Sequence, residues 1–449
     1  MLFSKTKSLL LQDKTIPTMD TTNRLLALDV FRGMTIAGMI LVNNPGSWST
    51  VYKPLLHADW HGCTPTDWVF PFFLFMVGMA IPIALGRRKA AGEELGGLRR
   101  KIIIRTLIIF GLGLLLAAFP RFGFKEGYDH LWLPHLALMT IGLIAIFWRG
   151  ASPVAQHRKI AGWVALAAAA GMAVIGIWAY DLSSLRIPGV LQRIALVYCA
   201  CAFIFLAADT RRQIWIGAGL LLLYWGLMTL VPIPGGVAPN LEAETNLGAW
   251  LDRVLMSGHL WSQAITWDPE GLLSTLPAIV TGMIGMQAGS WIKTSRSPYE
   301  HLTGIFGVGV LLIALGLIWD LAFPINKKIW TSSYVLYTGG VALLFLGMIY
   351  WTVDVLQYRR WTRFFVVYGM NALFVFVLSG LVAKLLGVIK VVSTPDGSSG
   401  LSLQGWLYEN CFKSVFSDYN ASLAYALANV AFFWGIAWIL YKYKIFIKV

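Results

Sequence analysis

The chain has 449 residues, of which 57% are apolar and 13% charged, with a mean hydropathy of +0.67. That balance excludes a soluble globular domain and describes a polytopic membrane protein. The net charge of +14 does not point to nucleic acid, because the Lys and Arg residues are spread over many short loops instead of one face or tail.

Taken in chain order, apolar windows of the length a helix needs to cross the hydrocarbon core recur at 25–44, 66–86, 102–119, 131–148, 160–179, 188–207, 213–231, 271–291, 302–323, 333–353, 364–388 and 421–441. The expected fold is an all-α membrane bundle of about twelve spans, with ten as the lower bound. A segment 1–24 precedes a single transmembrane domain over 25–449. The basic runs KTK, GRRK with LRRK, HRK, TRR, KTSR, YRRWTR and the terminal YKYKIFIK all fall on one side of this arrangement, and most of the acids fall on the other. The positive-inside rule then places both termini in the cytoplasm and the loops 45–65, 232–270 and 389–420 on the exterior. MLFSKTKSLLLQDK has too short an apolar run and no small-residue cleavage site, so the first span is expected to serve as the insertion signal. Cys63 and Cys411 share the exterior side, which makes a disulfide between them possible on topology alone.

Loop 232–270 carries Trp250, Trp261 and Trp267 among Glu242, Glu244, Asp252, Asp268 and Glu270. Aromatic faces beside carboxylates suit a sugar bearing an amine, although tryptophans at this depth also serve as interfacial anchors. The flexible TPDGSSG lies in the last exterior loop. Inside the spans, Asp29 and Arg32 are three residues apart on one helical face and invite an ion pair, and Arg193 lies near the outer end of the sixth window.

The densest chemistry is in LLHADWHGCTPTDWVFPFF, where His57, Asp59, His61 and Asp67 stand at the lip of a span. His57 and His61 have the i, i+4 spacing of metal ligands, but Gly62 and Pro65 oppose a long helix there and the glutamate of HExxH is absent. No metal is expected. Two readings stay open from the residues alone: ordinary solvated loop, or acid/base chemistry by an imidazole whose tautomer a carboxylate fixes.

RLLALDVFRGMTIAGMILVNN followed by LLHADWHGCTPTDWVFPFFLFMVG resembles the start of the membrane core of the heparan-α-glucosaminide N-acetyltransferase family. RIPGVLQRIALVY at 186–198, DPEGLLSTLPAIVTGMIGMQAG at 268–289, PINKKIW at 324–330, VVYGMNALFVFVLSG at 366–380 and WILYKYKIF follow in the same order. A segment of about 130–180 reads as an extra hairpin, and the luminal domain and additional span of the animal enzyme have no counterpart, so the resemblance is to a bacterial-type member in the inner membrane.

The resemblance implies transfer of acetyl from cytosolic acetyl-CoA to the amine of a glucosamine-type sugar on the exterior, periplasmic side. The block with the family's essential histidine matches at His57 and the preceding asparagine at Asn43, with Asn44 adjacent. His57 is then the general base, or the nucleophile of an acetyl-histidine intermediate; Asn43 would hold the thioester carbonyl, and Asp67 or Asp59 would orient the histidine. Arg32, Gln192 and Arg193 are the expected cofactor contacts, with Arg87, Arg88, Arg100 and Arg105 further candidates for the phosphates. Asp268, Glu270, Asn326 and Lys327 lie in matching blocks as contacts for the sugar. A homodimer is implied as well. The rival functions are an amino-sugar transporter, which predicts two related halves that the sequence does not display, and an O-acyltransferase acting on a surface glycan.

Overall fold

The computed structural model describes residues 25–119, 123–391 and 400–447. The N-terminal segment 1–24 and residues 394–399 of TPDGSSG lie outside the described residues. Fifteen α-helices follow one another, with no strand among the described residues. They are α1 (Leu26–Asn43), α2 (Val69–Ala90), α3 (Leu95–Ala118), α4 (Trp132–Ala151), α5 (Ala155–Ala179), α6 (Val190–Ala207), α7 (Thr210–Leu230), α8 (Leu247–Met256), α9 (Thr275–Ile292), α10 (Pro298–Asp320), α11 (Ser332–Tyr350), α12 (Thr362–Met370), α13 (Ala372–Val388), α14 (Leu403–Leu407) and α15 (Asp418–Lys442).

Ten of these helices, α2 being extended by a preceding 3-10 turn from Pro65 and α11 by a π turn to Val355, are long and apolar enough to cross a membrane. With one bent pair counted as a span the total is eleven, and the chain is an integral membrane protein. The bent pair is α12 and α13, where the window 364–388 reads as one uninterrupted span but turns by 80° at Asn371. Asn371 leaves the helical region at φ −125° and ψ 35°, and its buried amide is occupied by the chain's own end: Nδ2 donates to the Ile445 carbonyl at 3.1 Å and Oδ1 accepts from the Ile447 amide at 2.8 Å. A side chain that satisfies backbone groups in this way makes a break tolerable at membrane depth. The window 271–291 becomes α9, which is not among the eleven.

α9 lies in the middle of the bundle, and its close partner is α2. A Cβ on Gly78 would come within 1.8 Å of the Gly282 carbonyl oxygen, and one on Gly285 within 1.8 Å of the Phe75 carbonyl oxygen. Glycine on both sides lets the two backbones approach where apolar burial gives no drive between helices. Leu74, Phe75, Met79, Ala278, Met283 and Met286 pack around that contact. The segment 130–180 forms the antiparallel hairpin α4–α5, most of whose large apolar side chains face outward.

Candidate active site

α2 starts beside His57 and runs away from it, so α3 returns to the His57 end and α6, entered through 181–189, leaves from there. The loops that carry the polar residues therefore meet at one end of the bundle.

Thr64 and Asp67 form a reciprocal capping box that opens the turn before α2. Asp67 is fully buried, and each of its oxygens is used: Oδ1 meets His57 Nδ1 at 2.7 Å, while Oδ2 accepts from the Ala58 amide at 3.1 Å, the Thr64 amide at 2.9 Å and the Thr64 hydroxyl at 3.1 Å. A buried carboxylate is sustained by that many donors. Tyr334 on α11 fixes the same turn by donating to the Asp67 carbonyl at 2.6 Å. Because an ionised carboxylate only accepts, His57 carries its proton on Nδ1 and leaves Nε2 as the basic nitrogen. His57 keeps 40% of its side chain exposed against 1% for Asp67, so the imidazole is reachable while its anchor is not.

The turn 324–331 supplies the second half. Asn326 is fully buried and organises it, its Oδ1 accepting from the Lys328 amide at 2.7 Å and the Ile329 amide at 3.1 Å. The turn docks onto the histidine loop where the Gly62 amide donates to the Ile325 carbonyl at 2.7 Å. Lys327 thereby reaches His57, with Nζ 3.0 Å from Nδ1, 3.1 Å from Nε2 and 3.7 Å from Asp67 Oδ1. Burial draws the Lys327 ammonium below the ordinary lysine value, against the opposing pull of Asp67 and Glu270. Lys328 donates to the Asp59 carbonyl and lies 5.8 Å from the centroid of Trp60, which meets Trp267 edge to face at 5.3 Å.

His57 and His61 do not converge on a common point: His57 is held by Asp67, and His61 Nδ1 lies 3.4 Å from Asn326 Nδ2. Cys63 and Cys411 are separate thiols. Burial, with Asp67 adding to it, pushes the Cys63 thiol up to about 12, so it stays protonated and does not compete as a nucleophile.

A cavity of about 310 Å³ opens beside this cluster. Its apolar depth is made by Met39, Phe70, Phe73, Ile194 and Phe376, and its polar rim by Asn43, His57, Arg186, Glu270 and Lys327. Asn43 lines the cavity, whereas the neighbouring Asn44 is not on its lining and its amide donates to the Ile40 carbonyl at 2.8 Å.

Arg186 escapes sequence reasoning. It donates from Nε to Asp268 Oδ2 at 2.9 Å and from one terminal nitrogen to Asp268 Oδ1 at 2.7 Å and to Glu270 Oε2 at 2.6 Å. Burial works against the Arg186 charge, but Asp268 and Glu270 hold its guanidinium above the ordinary arginine value. Asp268 is thus committed to a protein partner, while Glu270 also faces the cavity. The available signal is a lone arginine opening RIPGVLQR and a carboxylate pair in DPEG, but 82 residues separate them.

Arg193 and Gln192 lie at this same end. Arg193 is buried and donates to the carbonyls of Pro269 at 3.1 Å and Gly271 at 2.9 Å and to the Ser274 hydroxyl, holding the chain that enters α9. Arg32 sits eleven residues before Asn43 on α1, about 16 Å away along the helix axis at 1.5 Å per residue. It pairs with Asp29 at 3.5 Å and donates to the Gly369 carbonyl at 3.4 Å. The three residues expected to hold the cofactor are therefore divided between the two ends of the bundle.

Residues 24–151, which contain Asn43, His57 and Asp67, match the family model described as heparan-α-glucosaminide N-acetyltransferase, catalytic. The human heparan-α-glucosaminide N-acetyltransferase is 24% identical over 364 residues, covering 70% of this chain and 46% of the human protein. The mouse protein of the same name is 24% identical over 365 residues, covering 70% and 47%. The chain spans about half the length of these relatives. An all-α membrane bundle with a carboxylate-held histidine inside the matching segment agrees with those likenesses, and over residues 24–151 the chain is similar to the heparan-α-glucosaminide N-acetyltransferase catalytic region.

Proposed function

We propose that the protein is a transmembrane N-acetyltransferase that moves acetyl from acetyl-CoA to the amine of a glucosamine-type sugar. The observation that carries this reading is the Asp67–His57 pair at the rim of a cavity whose depth is apolar. A base that must meet a thioester from one side and an amine from the other needs such a position. The names of the similar proteins supply the reaction class.

In this reading Asp67 holds the imidazole with Nε2 facing the cavity. The acceptor nitrogen attacks the thioester carbonyl, Nε2 takes the proton it sheds, and the tetrahedral intermediate collapses with release of the CoA thiolate, which the imidazolium reprotonates. General base catalysis of this kind contributes about 10² to 10⁴ in rate. Asn43 donates to the carbonyl oxygen as it gains charge. Lys327 lies against Nε2, so the incoming amine displaces it towards Asp67 and Glu270. The pantetheine arm enters through the apolar depth between α1, α2, α6 and α13, with the nucleotide at the Arg32 end, on the cytoplasmic side, and the sugar at the His57 end, on the exterior.

The test is acetyl transfer from labelled acetyl-CoA by purified protein in detergent. Glucosamine should be acetylated and N-acetylglucosamine should not; His57→Ala should abolish transfer, while His61→Ala should retain it. Acetylation of both sugars would favour an O-acyltransferase. Sugar binding without any turnover of acetyl-CoA would favour a carrier. Release of CoA in the absence of acceptor, with label retained on His57, would make His57 the nucleophile instead of the base.

A further inference from the structure

Acetyl transfer to a sugar calls for a primary amine at one place, against Nε2 of His57. A primary amine of the chain itself already lies there. Lys327 Nζ is 3.0 Å from Nδ1 and 3.1 Å from Nε2. A general base takes a proton from a group about 2.6–3.2 Å away, so this contact meets the requirement as it stands. Since Nδ1–H is given to Asp67 at 2.7 Å, the nitrogen open to the ammonium is Nε2.

The backbone under Lys327 is fixed on both sides. The Ile325 carbonyl accepts from the Gly62 amide at 2.7 Å, and Asn326 Oδ1 accepts from the Lys328 and Ile329 amides. A flexible arm on a rigid turn is a tethered nucleophile, and it reacts without the entropy loss of bringing an acceptor in from solution. Its side chain is 18% exposed and lines the same cavity as His57 and Asn43, so an acyl donor entering that cavity meets it. Burial also draws its ammonium below the ordinary lysine value, which raises the share of neutral, nucleophilic amine. Lys328 lines the cavity too, but its amine is turned to the Asp59 carbonyl and the face of Trp60.

We propose that Lys327 is a self-acetylation site, its Nζ standing in for the sugar amine when no acceptor is bound. This rests on the acetyltransferase reading for the donor, an acetyl thioester, and is independent of which sugar is the acceptor. His57 Nε2 takes one proton from the ammonium and passes it to solvent, which its exposed ring reaches. The neutral amine attacks the thioester carbonyl, a C–N bond forms, and Nε2 takes the second proton as the C–S bond breaks. That proton goes to the departing thiolate. The products are acetyl-Lys327, CoA thiol and one proton released. The ammonium beside Asp67 becomes a neutral amide, and the place against Nε2 is closed to a sugar amine.

Purified protein in detergent is incubated with acetyl-CoA and no sugar, digested, and its acetylated lysines located by fragment mass spectrometry. Lys327 should be acetylated at least about tenfold faster than Lys328, its neighbour in the same peptide and the internal control for uncatalysed reaction. In His57→Ala, with the melting temperature checked, labelling of Lys327 should fall by about 10² while that of Lys328 stays as it was. Hydroxylamine, which removes acetyl from imidazole, should leave the Lys327 label in place and so separate it from an acetyl-histidine. An unmodified Lys327, equal rates at the two lysines, or undiminished labelling in His57→Ala would overturn the proposal. In a preparation that acetylates glucosamine, saturating glucosamine should slow Lys327 labelling several-fold, and undiminished labelling would show that the two amines do not share a position. Glucosamine acetylated while Lys327 stays unmodified would remove the self-acetylation site and keep the acetyltransferase reading. Labelling of Lys327 that depends on His57, with no amino sugar accepted, would keep the site and remove the sugar from that reading.

Discussion

The α4–α5 hairpin and the group α1, α2, α9 and α11 are built from equally apolar sequence, yet they do different work. In the span Ser332–Val355, 72% of the apolar window is buried within the bundle, against 11% in Ala155–Ala179. Hydropathy is the same signal in both, because lipid and protein interior are alike to it. What separates them is the small residues that let backbones meet, and the polar residues placed where helices end. Asn43, His57 and Asp67 belong to α1, α2 and the loop between them, and the buried Asn326 and Tyr334 belong to α11 and the turn before it. The hairpin instead presents Trp163 and Ile177 outward, at 62% and 71% exposure.

Five substitutions measure that contrast, from the most to the least damaging. If His57 is the base proposed above, His57→Ala should lower kcat for acetyl transfer by at least about 10² to 10⁴ with the melting temperature nearly unchanged, because the side chain is half-exposed. Asp67→Asn should cost about 10² in kcat, since an amide presents a donor to Nδ1 and favours the wrong tautomer; a rate equal to wild type would show that Asp67 only shapes the turn. Gly285→Ala places a Cβ against the Phe75 carbonyl and should destabilise by about 1–3 kcal/mol, read as a lowered melting temperature together with partial loss of activity.

Asp252→Asn probes a subtler term. Asp252 is buried beside Asp268 and accepts from the Leu272 amide at 2.9 Å; burial, with Asp268 adding to it, raises its carboxyl from 3.8 to about 6. The folded protein therefore holds this proton more tightly than the unfolded chain does. Its contribution to stability is greatest below the unfolded value and declines as pH rises from about 4 to about 6, by on the order of 1–3 kcal/mol. Melting temperatures at pH 5 and pH 7 should differ less in Asp252→Asn than in wild type, and an undiminished difference would assign the pH dependence elsewhere. Trp163→Ser on the hairpin should change neither transfer by more than about twofold nor stability by more than about 0.5 kcal/mol. A larger loss would mean that the hairpin does more than face lipid.

Much of the fold was legible because the bilayer demands long apolar helices and leaves few alternatives. The bend at Asn371 was not, since one asparagine inside an apolar window reads as continuous helix unless its distant partners Ile445 and Ile447 are known. His57 and Asp67 could be read from a short segment that places a histidine and a carboxylate ten residues apart. Lys327 was legible as a residue of a matching block, but not as the neighbour of His57, because 270 residues intervene. Arg186 had no local pattern that would announce its pairing with Asp268 and Glu270.

The stitching of Asn371 to the last residues of the chain has a practical side. Trimming the protein after Tyr443 would strip both partners from the bend and free α13 to change its tilt. α13 carries Phe376, which lines the cavity beside His57, so a truncation at the edge of the bundle should be felt in the shape of that cavity as well as in stability.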